Sequence, residues 1–331
     1  MRSAKKMSPE GPASAVAHAI EAAETVFIAA HENPDGDAVG SLLALRSMLL
    51  RLGKEVHAAT PTAPPERFAF LESVEAITTE APAESADLAI ALDCDGAGRL
   101  AGLKNAVLAS PTVVDIDHHR RESAFGDIQY VVPGAAATAV LVAEVARALD
   151  LQLTSAEAMA LYTALIADTG GFRFSNTSPE ALRLGADLVE VGADPETASR
   201  ELFSVRPLSA AHLEGRALSS LQPVNSQILI STLSLADFEA TGALQEATDG
   251  IIDSFRYVTG VRIAALLKES DPDVWQVSLR GNGVDVASVA SSFGGGGHTY
   301  AAGCTIEGPL AVVRSRLTEA LEHALMEAPD A

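Results

Sequence analysis

The first half of the chain alternates apolar runs rich in β-forming residues with helical patterns. This alternation is typical of βαβ units, which build a parallel sheet covered by helices. The pattern predicts strands at 26–30, 55–60, 88–92 and 112–116 and helices at 38–52, 136–149, 155–167 and 178–191. The strands therefore predict one parallel sheet for this part of the chain.

The second half of the chain has a different predicted pattern of secondary structure. Residues 193–214 are predicted to be a connecting helix and linker, interrupted by Pro195 and Pro207. Strands at 227–232, 261–268 and 274–280, a glycine-rich loop and a closing helix at 310–326 follow. A length of 331 residues suits two domains. We therefore predict an α/β fold with a flexible tail (1–14), a parallel-sheet N-terminal domain (15–192), a linker (193–214) and a smaller α/β C-terminal domain (215–331).

Composition narrows the functional class. The chain has 23 basic and 44 acidic residues and a formal net charge of −21. This balance argues against a protein that tracks long nucleic acids, which normally bind a basic surface. No apolar run is long enough to cross a bilayer, and no apolar segment of a signal peptide follows the basic start. Two cysteines, Cys94 and Cys304, do not make a disulfide framework. We expect a cytoplasmic protein without a membrane partner.

Acidic residues and histidines follow the predicted strands at their carboxyl ends, where parallel sheets bind ligands. They are His31, Asp35 and Asp37 after the first strand, Asp93 after the third, Asp117, His118 and His119 at the end of the fourth, and Asp168 at the end of a helix. Taken singly, each has an ordinary explanation as a helix cap, a turn residue or a structural histidine. Together they indicate a metal site, because crowded carboxylates repel one another unless cations lie between them.

A mixed set of carboxylates and imidazoles suits Mn²⁺, with Mg²⁺, Co²⁺ or Zn²⁺ as substitutes. Two such ions can hold a hydroxide and a phosphoryl oxygen together. The pattern therefore favours two divalent metal ions and hydrolysis of a phosphoester or phosphoanhydride.

These motifs resemble the DHH phosphoesterase superfamily, which takes its name from the sequence found here at Asp117-His118-His119. The segment from Phe293 to His298, followed by Ala301-Ala302-Gly303, resembles the signature of its associated C-terminal domain. The resemblance spans about residues 25 to 305, and it implies the following metal ligands. One ion would be held by His31, Asp35 and Asp93. The other would be held by Asp37, Asp93, His118 and Asp168, with Asp93 shared.

The resemblance also implies roles for residues that hold no metal. Asp117 would orient its neighbouring histidine, and His119 would lie near the scissile phosphate, where it would stabilise charge or protonate the leaving oxygen. Substrate phosphate would be gripped by Arg280, Gly295, Gly296, Gly297 and His298. Many members of the superfamily carry Ser after this arginine, and here Gly281 removes that hydroxyl.

Within the superfamily the chain is most similar to the compact nanoRNase and pAp phosphatase group, called NrnA-like. This implies metal-dependent hydrolysis of very short RNA, or of 3′-phosphoadenosine 5′-phosphate (pAp), by a hydroxide activated by two metals. Small nucleotides and very short RNA are the expected partners, and short DNA and a homodimer stay open. The alternatives are a soluble phosphodiesterase for linear or cyclic dinucleotides, a RecJ-like single-strand exonuclease, and a non-catalytic nucleotide-binding regulator.

Overall fold

The computed structural model describes residues 11–119 and 125–329. Contacts within the chain divide it into two compact units, Met1–Val205 and Arg206–Ala331. The division falls inside the stretch that we predicted as a linker. That stretch is mostly helical, because Asp194 caps a helix and Pro195 starts it.

The first unit contains a five-stranded sheet in the order β2-β1-β3-β4-β5. All of its pairings are parallel. The strands are β1 (Thr25–Ala30), β2 (Glu55–Ala59), β3 (Leu88–Leu92), β4 (Thr112–Asp117) and β5 (Ile128–Val131). The predicted parallel sheet is confirmed. Strand β5 was missed, since it is short and only Tyr130 within it is buried, so its apolar signal is weak.

Helices cover the sheet of the first unit. They are α1 (Pro12–Ala22), α2 (Gly36–Arg51), α3 (Lys104–Leu108), α4 (Thr138–Ala148), α5 (Ser155–Asp168), α6 (Pro179–Val191) and α7 (Pro195–Phe203). Helices α2 and α5 approach each other closely at Gly40, where an added Cβ would lie 2.3 Å from the carbonyl oxygen of Ala160. Only glycine fits at this position without a clash, and the close contact holds the start of α2 against α5.

The first helix begins three residues inside the predicted tail. Pro12 occupies its first turn, a position that proline favours because the missing N–H has no partner there. Val16, Ala17 and Ile20 of α1 are buried, so this segment belongs to the core of the first unit. Residues 1–10 of the predicted tail lie outside the described residues.

The second unit contains a six-stranded mixed sheet in the order β10-β11-β9-β8-β7-β6. Its strands are β6 (Gln222–Pro223), β7 (Ile228–Leu233), β8 (Ile263–Asp271), β9 (Val274–Gly281), β10 (Gly296–His298) and β11 (Ala301–Glu307). Its helices are α8 (Leu208–Ser219), α9 (Leu235–Thr241), α10 (Val286–Ser292) and α11 (Leu310–Glu327). Apolar clusters lie on both faces of this sheet. The predicted smaller α/β domain is confirmed.

The glycine-rich segment differs from the prediction. It was predicted to be a loop, but its second half forms strand β10, which pairs antiparallel with β11. Gly297 explains the difference, since an added Cβ there would lie 2.6 Å from the carbonyl oxygen of Ala301. Glycine permits this close approach of the two strands. Among the described residues, no helix is long and apolar enough to cross a membrane.

Candidate metal centre

The carboxyl ends of β1, β3 and β4 meet at one rim of the parallel sheet. His31 directly follows β1, Asp93 follows β3, and His118 follows β4. Because these strands are adjacent in the sheet, their terminal side chains converge. Helix α5 contributes its last residue, Asp168, to the same place. The structure therefore brings together residues that lie far apart in the sequence.

One cluster at this rim consists of His31, Asp35 and Asp93, whose ligand atoms lie within 4.8 Å of one another. His31 Nε2 is 3.7 Å from Asp35 Oδ1 and 3.5 Å from Asp93 Oδ2. The other ring nitrogen, Nδ1, lies 2.8 Å from the carbonyl oxygen of Glu32. A proton on Nδ1 donates to that carbonyl, so Nε2 is the atom available to a metal.

A second cluster consists of Asp37, His118 and Asp168. His118 Nε2 lies 3.1 Å from Asp168 Oδ2 and 3.8 Å from Asp37 Oδ2. It also lies 3.5 Å from Asp93 Oδ1. The Nδ1 atom of His118 is 3.2 Å from the carbonyl oxygen of Ala135, which fixes the ring so that Nε2 faces the carboxylates. The two oxygens of Asp93 thus face different clusters.

Asp93 has an unusual backbone. Its φ of 58° lies in the left-handed region, which few residues other than glycine adopt. The side chain is buried, and its Oδ1 accepts a hydrogen bond from the hydroxyl of Thr138 at 3.0 Å. Strain of this kind persists where surrounding contacts enforce it, often at functional sites. Here it places a carboxylate between the two clusters.

Asp37 is fully buried and held by the start of α4. Its carboxylate accepts hydrogen bonds from the backbone N–H groups of Thr138 and Ala139 and from the hydroxyl of Ser41. The free N–H groups of a helix start favour a negative charge. Sequence reasoning missed Thr138 and Ala139 as partners, because a backbone N–H donates whatever the side chain is.

Asp35 caps α2 as well as facing His31. Its Oδ1 accepts hydrogen bonds from the N–H groups of Asp37 and Ala38. The position of Asp35 is therefore compatible both with a helix cap and with a metal ligand.

Asp117 contacts His119 rather than His118. Its Oδ1 lies 2.8 Å from His119 Nδ1 and also accepts the backbone N–H of His119. His119 Nδ1 is 3.6 Å from Asp93 Oδ1, so this ring borders the clusters. The bond through Nδ1 leaves Nε2 of His119 available for another partner. The histidine next to Asp117 in the sequence, His118, is fixed by Ala135 instead.

Electrostatics at the rim reflect crowded charges. Burial lowers the pKa of His31, but hydrogen bonds to Asp35 and Asp93 outweigh it and raise the pKa to about 10. For His118, burial is again outweighed, by hydrogen bonds to Asp168 and Asp93, and the pKa rises to about 11. Without metal, protons on these rings offset part of the carboxylate charge.

The buried carboxylates respond in opposite directions. Burial and the neighbouring charges of Asp93 and Asp168 raise the pKa of Asp37 well above its usual range. Burial also acts to raise the pKa of Asp93, but hydrogen bonds with His118 and His31 lower it overall. A set of oxygen and imidazole donors with this excess of carboxylates fits divalent cations.

The residues expected to bind substrate lie in the second unit. Arg280 on β9 is opposite Ala301 of β11, which is opposite His298 of β10. Directly opposite residues of antiparallel strands project from the same face of a sheet, so Arg280 and His298 share one face. Gly295 and Gly296 are exposed beside them.

Arg280 is partly engaged within its own unit. Its Nη1 atom donates to the carbonyl oxygen of Leu279 at 3.1 Å, and its Nε atom is 3.8 Å from Asp253 Oδ1. Burial, together with the charge of Arg256, lowers the pKa of the guanidinium despite the nearby Asp253. The Nη2 group of Arg280 takes part in neither of these two contacts.

Two protein-family models match this chain, one in each unit. A family model described as "DHH family, N-terminal domain" matches residues 25–165, and one described as "DHHA1 domain" matches residues 225–328. The "Bifunctional oligoribonuclease and PAP phosphatase NrnA" of Thermus thermophilus is 34% identical over 319 residues, which are 95% of this chain and 94% of that protein. The protein of the same name in Bacillus subtilis is 22% identical over 286 residues, 86% of this chain and 90% of its own.

A solved structure shares the fold. The crystal structure of an exopolyphosphatase-related protein from Bacteroides fragilis superimposes with a TM-score of 0.88 at 24% identity. The match covers 94% of this chain and 96% of that one. The fold, the two family models and the relative from Thermus thermophilus lead to one assignment. The chain belongs to the DHH phosphoesterase family.

Proposed function

We propose that this protein uses divalent cations, Mn²⁺ foremost, to hydrolyse phosphoester bonds in very short RNA and in pAp. One observation carries the proposal. The motif residues of two histidines and four aspartates form two adjoining clusters at one rim of the sheet, with Asp93 between them. The relatives named for oligoribonuclease and PAP phosphatase activities align with nearly the whole chain and supply the substrate class.

The two clusters define the proposed ligands. His31, Asp35 and Asp93 would hold one ion. Asp37, Asp93, His118 and Asp168 would hold the other. Bound divalent cations would supply Lewis acidity, lower the pKa of a water molecule and balance phosphate charge. The backbone N–H groups at the start of α4 and the carbonyl oxygen of Ala135 keep ligand side chains in place whether or not a cation is bound.

His119 is the proposed proton donor to the leaving oxygen. Its hydrogen bond with Asp117 raises the pKa of the ring above its ordinary value, against the opposing effect of burial. The ring therefore keeps its proton to a higher pH than a free histidine does. Because Nδ1 is occupied by Asp117, the proton on Nε2 is the one available for donation.

Residues of the second unit are proposed to bind a substrate phosphate away from the bond that breaks. Arg280 offers the N–H groups that its internal contacts leave, and an arginine fork matches phosphate geometry. His298 lies on the same sheet face, and Gly295, Gly296 and Gly297 carry no side chain that would keep an anion from the backbone. The N–H of Gly295 donates to the carbonyl oxygen of Ala290, so the proposed N–H donors are those around Gly296 and Gly297.

The test is hydrolysis of three substrates side by side with Mn²⁺, Mg²⁺ or Co²⁺. They are a 5′-phosphorylated RNA dinucleotide, a long single strand of RNA, and pAp. The Asp93→Asn protein serves as the blank, since it keeps the size of the side chain and removes its charge. We expect rapid cleavage of the dinucleotide and pAp, with the long strand nearly intact. Preference for the long strand would indicate an exonuclease and contradict the proposal.

A further inference from the structure

The turn that follows Asp168 has a strained backbone. Gly170, Gly171 and Phe172 have φ values of 57°, 68° and 62°, so three consecutive residues lie in the left-handed region. Glycine adopts this conformation readily, but for a bulky residue such as phenylalanine it is a rare outlier. A strained backbone persists only where surrounding contacts hold it. Phe172 and Asn176 make such contacts for this turn.

Two anchors fix the turn. The ring of Phe172 packs inward against Tyr162, with their centroids 6.3 Å apart. The side-chain amide of Asn176 donates to the carbonyl oxygens of Asp168 at 3.1 Å and of Ala136 at 3.0 Å. The segment between these anchors is therefore a fixed part of the rim.

The anchored turn presents an aromatic surface to solvent. Phe174 is 46% exposed, and its backbone N–H donates to the carbonyl oxygen of Thr169, the residue after Asp168. The ring lies directly over Gly170, where an added Cβ would be 2.4 Å from the ring atom Cζ. A side chain at Gly170 would displace the ring, so glycine at this position allows Phe174 to lie there.

Two further residues extend this surface. Phe203, at the end of α7, is 47% exposed. The guanidinium of Arg173 lies 5.8 Å from the centre of the Phe203 ring, and its Nε donates to the carbonyl oxygen of Gly170. Phe174, Arg173 and Phe203 together are named the aromatic ledge. The ledge thus consists of two half-exposed phenyl rings and one guanidinium, and Phe174 and Arg173 lie on the turn that follows Asp168.

We propose that the aromatic ledge binds a nucleobase of the substrate, with Phe174 as the stacking platform. The inference rests on the proposed function. A nucleobase is joined to its phosphate by one sugar, and the hydrogen bond from Phe174 to Thr169 holds Phe174 near Asp168, a proposed metal ligand. Phenyl rings and arginine planes stack on any base, because every base has a π face. The ledge therefore selects nucleotides over phosphate compounds without bases, and it does not select among the four bases.

Kinetics with a base-deleted substrate test this assignment. The substrates are a 5′-phosphorylated RNA dinucleotide and two analogues in which one base, 5′ or 3′, is replaced by hydrogen. The proteins are wild type, Phe174→Ala, Phe174→Leu and a matched control, Leu108→Ala, which truncates another partly exposed apolar side chain of the first unit. Thermal unfolding verifies that each variant folds.

We expect Phe174→Ala to lower kcat/KM for the complete dinucleotide by between about 5-fold and about 100-fold, mainly through KM. Phe174→Leu should retain part of the binding, and Leu108→Ala should behave as wild type. For one of the two analogues, Phe174→Ala should have no effect, since the base that the ring contacts is already gone. An equal loss for the complete substrate and both analogues would overturn the assignment.

A second measurement separates this inference from the proposed function. A dinucleotide that carries 2-aminopurine and a slowly hydrolysed phosphorothioate link loses fluorescence when its base stacks. We expect quenching with the wild type and Leu108→Ala proteins and little quenching with Phe174→Ala. If the wild-type protein hydrolyses none of the substrates, the proposed function is wrong, and quenching still decides whether the ledge binds bases. Equal quenching by wild type and Phe174→Ala would overturn the ledge.

Discussion

Replacing Asp93 with asparagine should abolish activity without unfolding the protein. The carboxylate lies 3.5 Å from Nε2 of both His31 and His118, so a cation held by either histidine would lie within about 4 Å of it. At an effective dielectric constant of about 20, two unit charges at that distance interact by about 4 kcal/mol. Loss of this interaction corresponds to a decrease of about 10³-fold in kcat/KM. Asparagine tolerates the positive φ of this position, so the backbone should survive the change.

The assay has two parts. Steady-state hydrolysis of the dinucleotide gives kcat/KM, and thermal unfolding with and without Mn²⁺ gives the stabilisation that metal binding confers. Asp95→Asn is the control, because Asp95 lies two residues away but is exposed and faces Arg99. We expect the control to match wild type in both measurements. An Asp93→Asn protein with the activity and the metal-induced stabilisation of wild type would refute the shared role of this carboxylate.

Three further predictions concern the metals, the substrate and the packing. Because the pKa values of the two cluster histidines are near 10 and 11 and that of Asp37 is raised, titration calorimetry near neutral pH should show protons released as Mn²⁺ binds. Metal affinity should therefore rise with pH, and a pH-independent affinity would contradict this. Arg280→Ala should raise KM for the dinucleotide more than it lowers kcat, whereas Arg183→Ala on the exposed face of α6 should change neither. Gly40→Ala should destabilise the protein by about 1–3 kcal/mol, because the added methyl group clashes with Ala160. Gly215→Ala, in an open part of α8, should stabilise it by about 0.5–1 kcal/mol, and urea denaturation measures the free energy of unfolding of both variants.

The rim of the sheet could be predicted from the sequence because two simple patterns coincide there. Alternating strands and helices fix a parallel sheet, and parallel strands end at the same rim. Asp93 follows a strand that is apolar throughout, and His118 follows a strand with the apolar residues Val113, Val114 and Ile116, so the ends of those strands were easy to locate. Locating the strand ends in the sequence was therefore enough to predict that the residues after them lie close together.

Backbone geometry could not be predicted in the same way. The support of Asp37 by N–H groups at the start of α4 has no residue signal, since Thr138 and Ala139 donate through the main chain. The pairing of Asp117 with His119 instead of His118 depends on how the chain leaves β4. Phe172 and Phe174 are alike in the sequence, and the left-handed turn decides which ring packs against the core and which is exposed.

The balance of charge explains how such an acidic chain can attract an anionic substrate. The four carboxylates of the two clusters contribute a charge of −4 when ionised, and two protonated histidines offset only half of it. Two divalent cations with neutral histidines would bring the sum from −4 to 0 and so would cancel the negative charge of the centre. A phosphate approaching a protein of net charge −21 is repelled by most of the surface. Divalent cations held at this rim would therefore favour phosphate binding as well as chemistry, because they would add positive charge beyond the protons that the metal-free rim carries on His31 and His118.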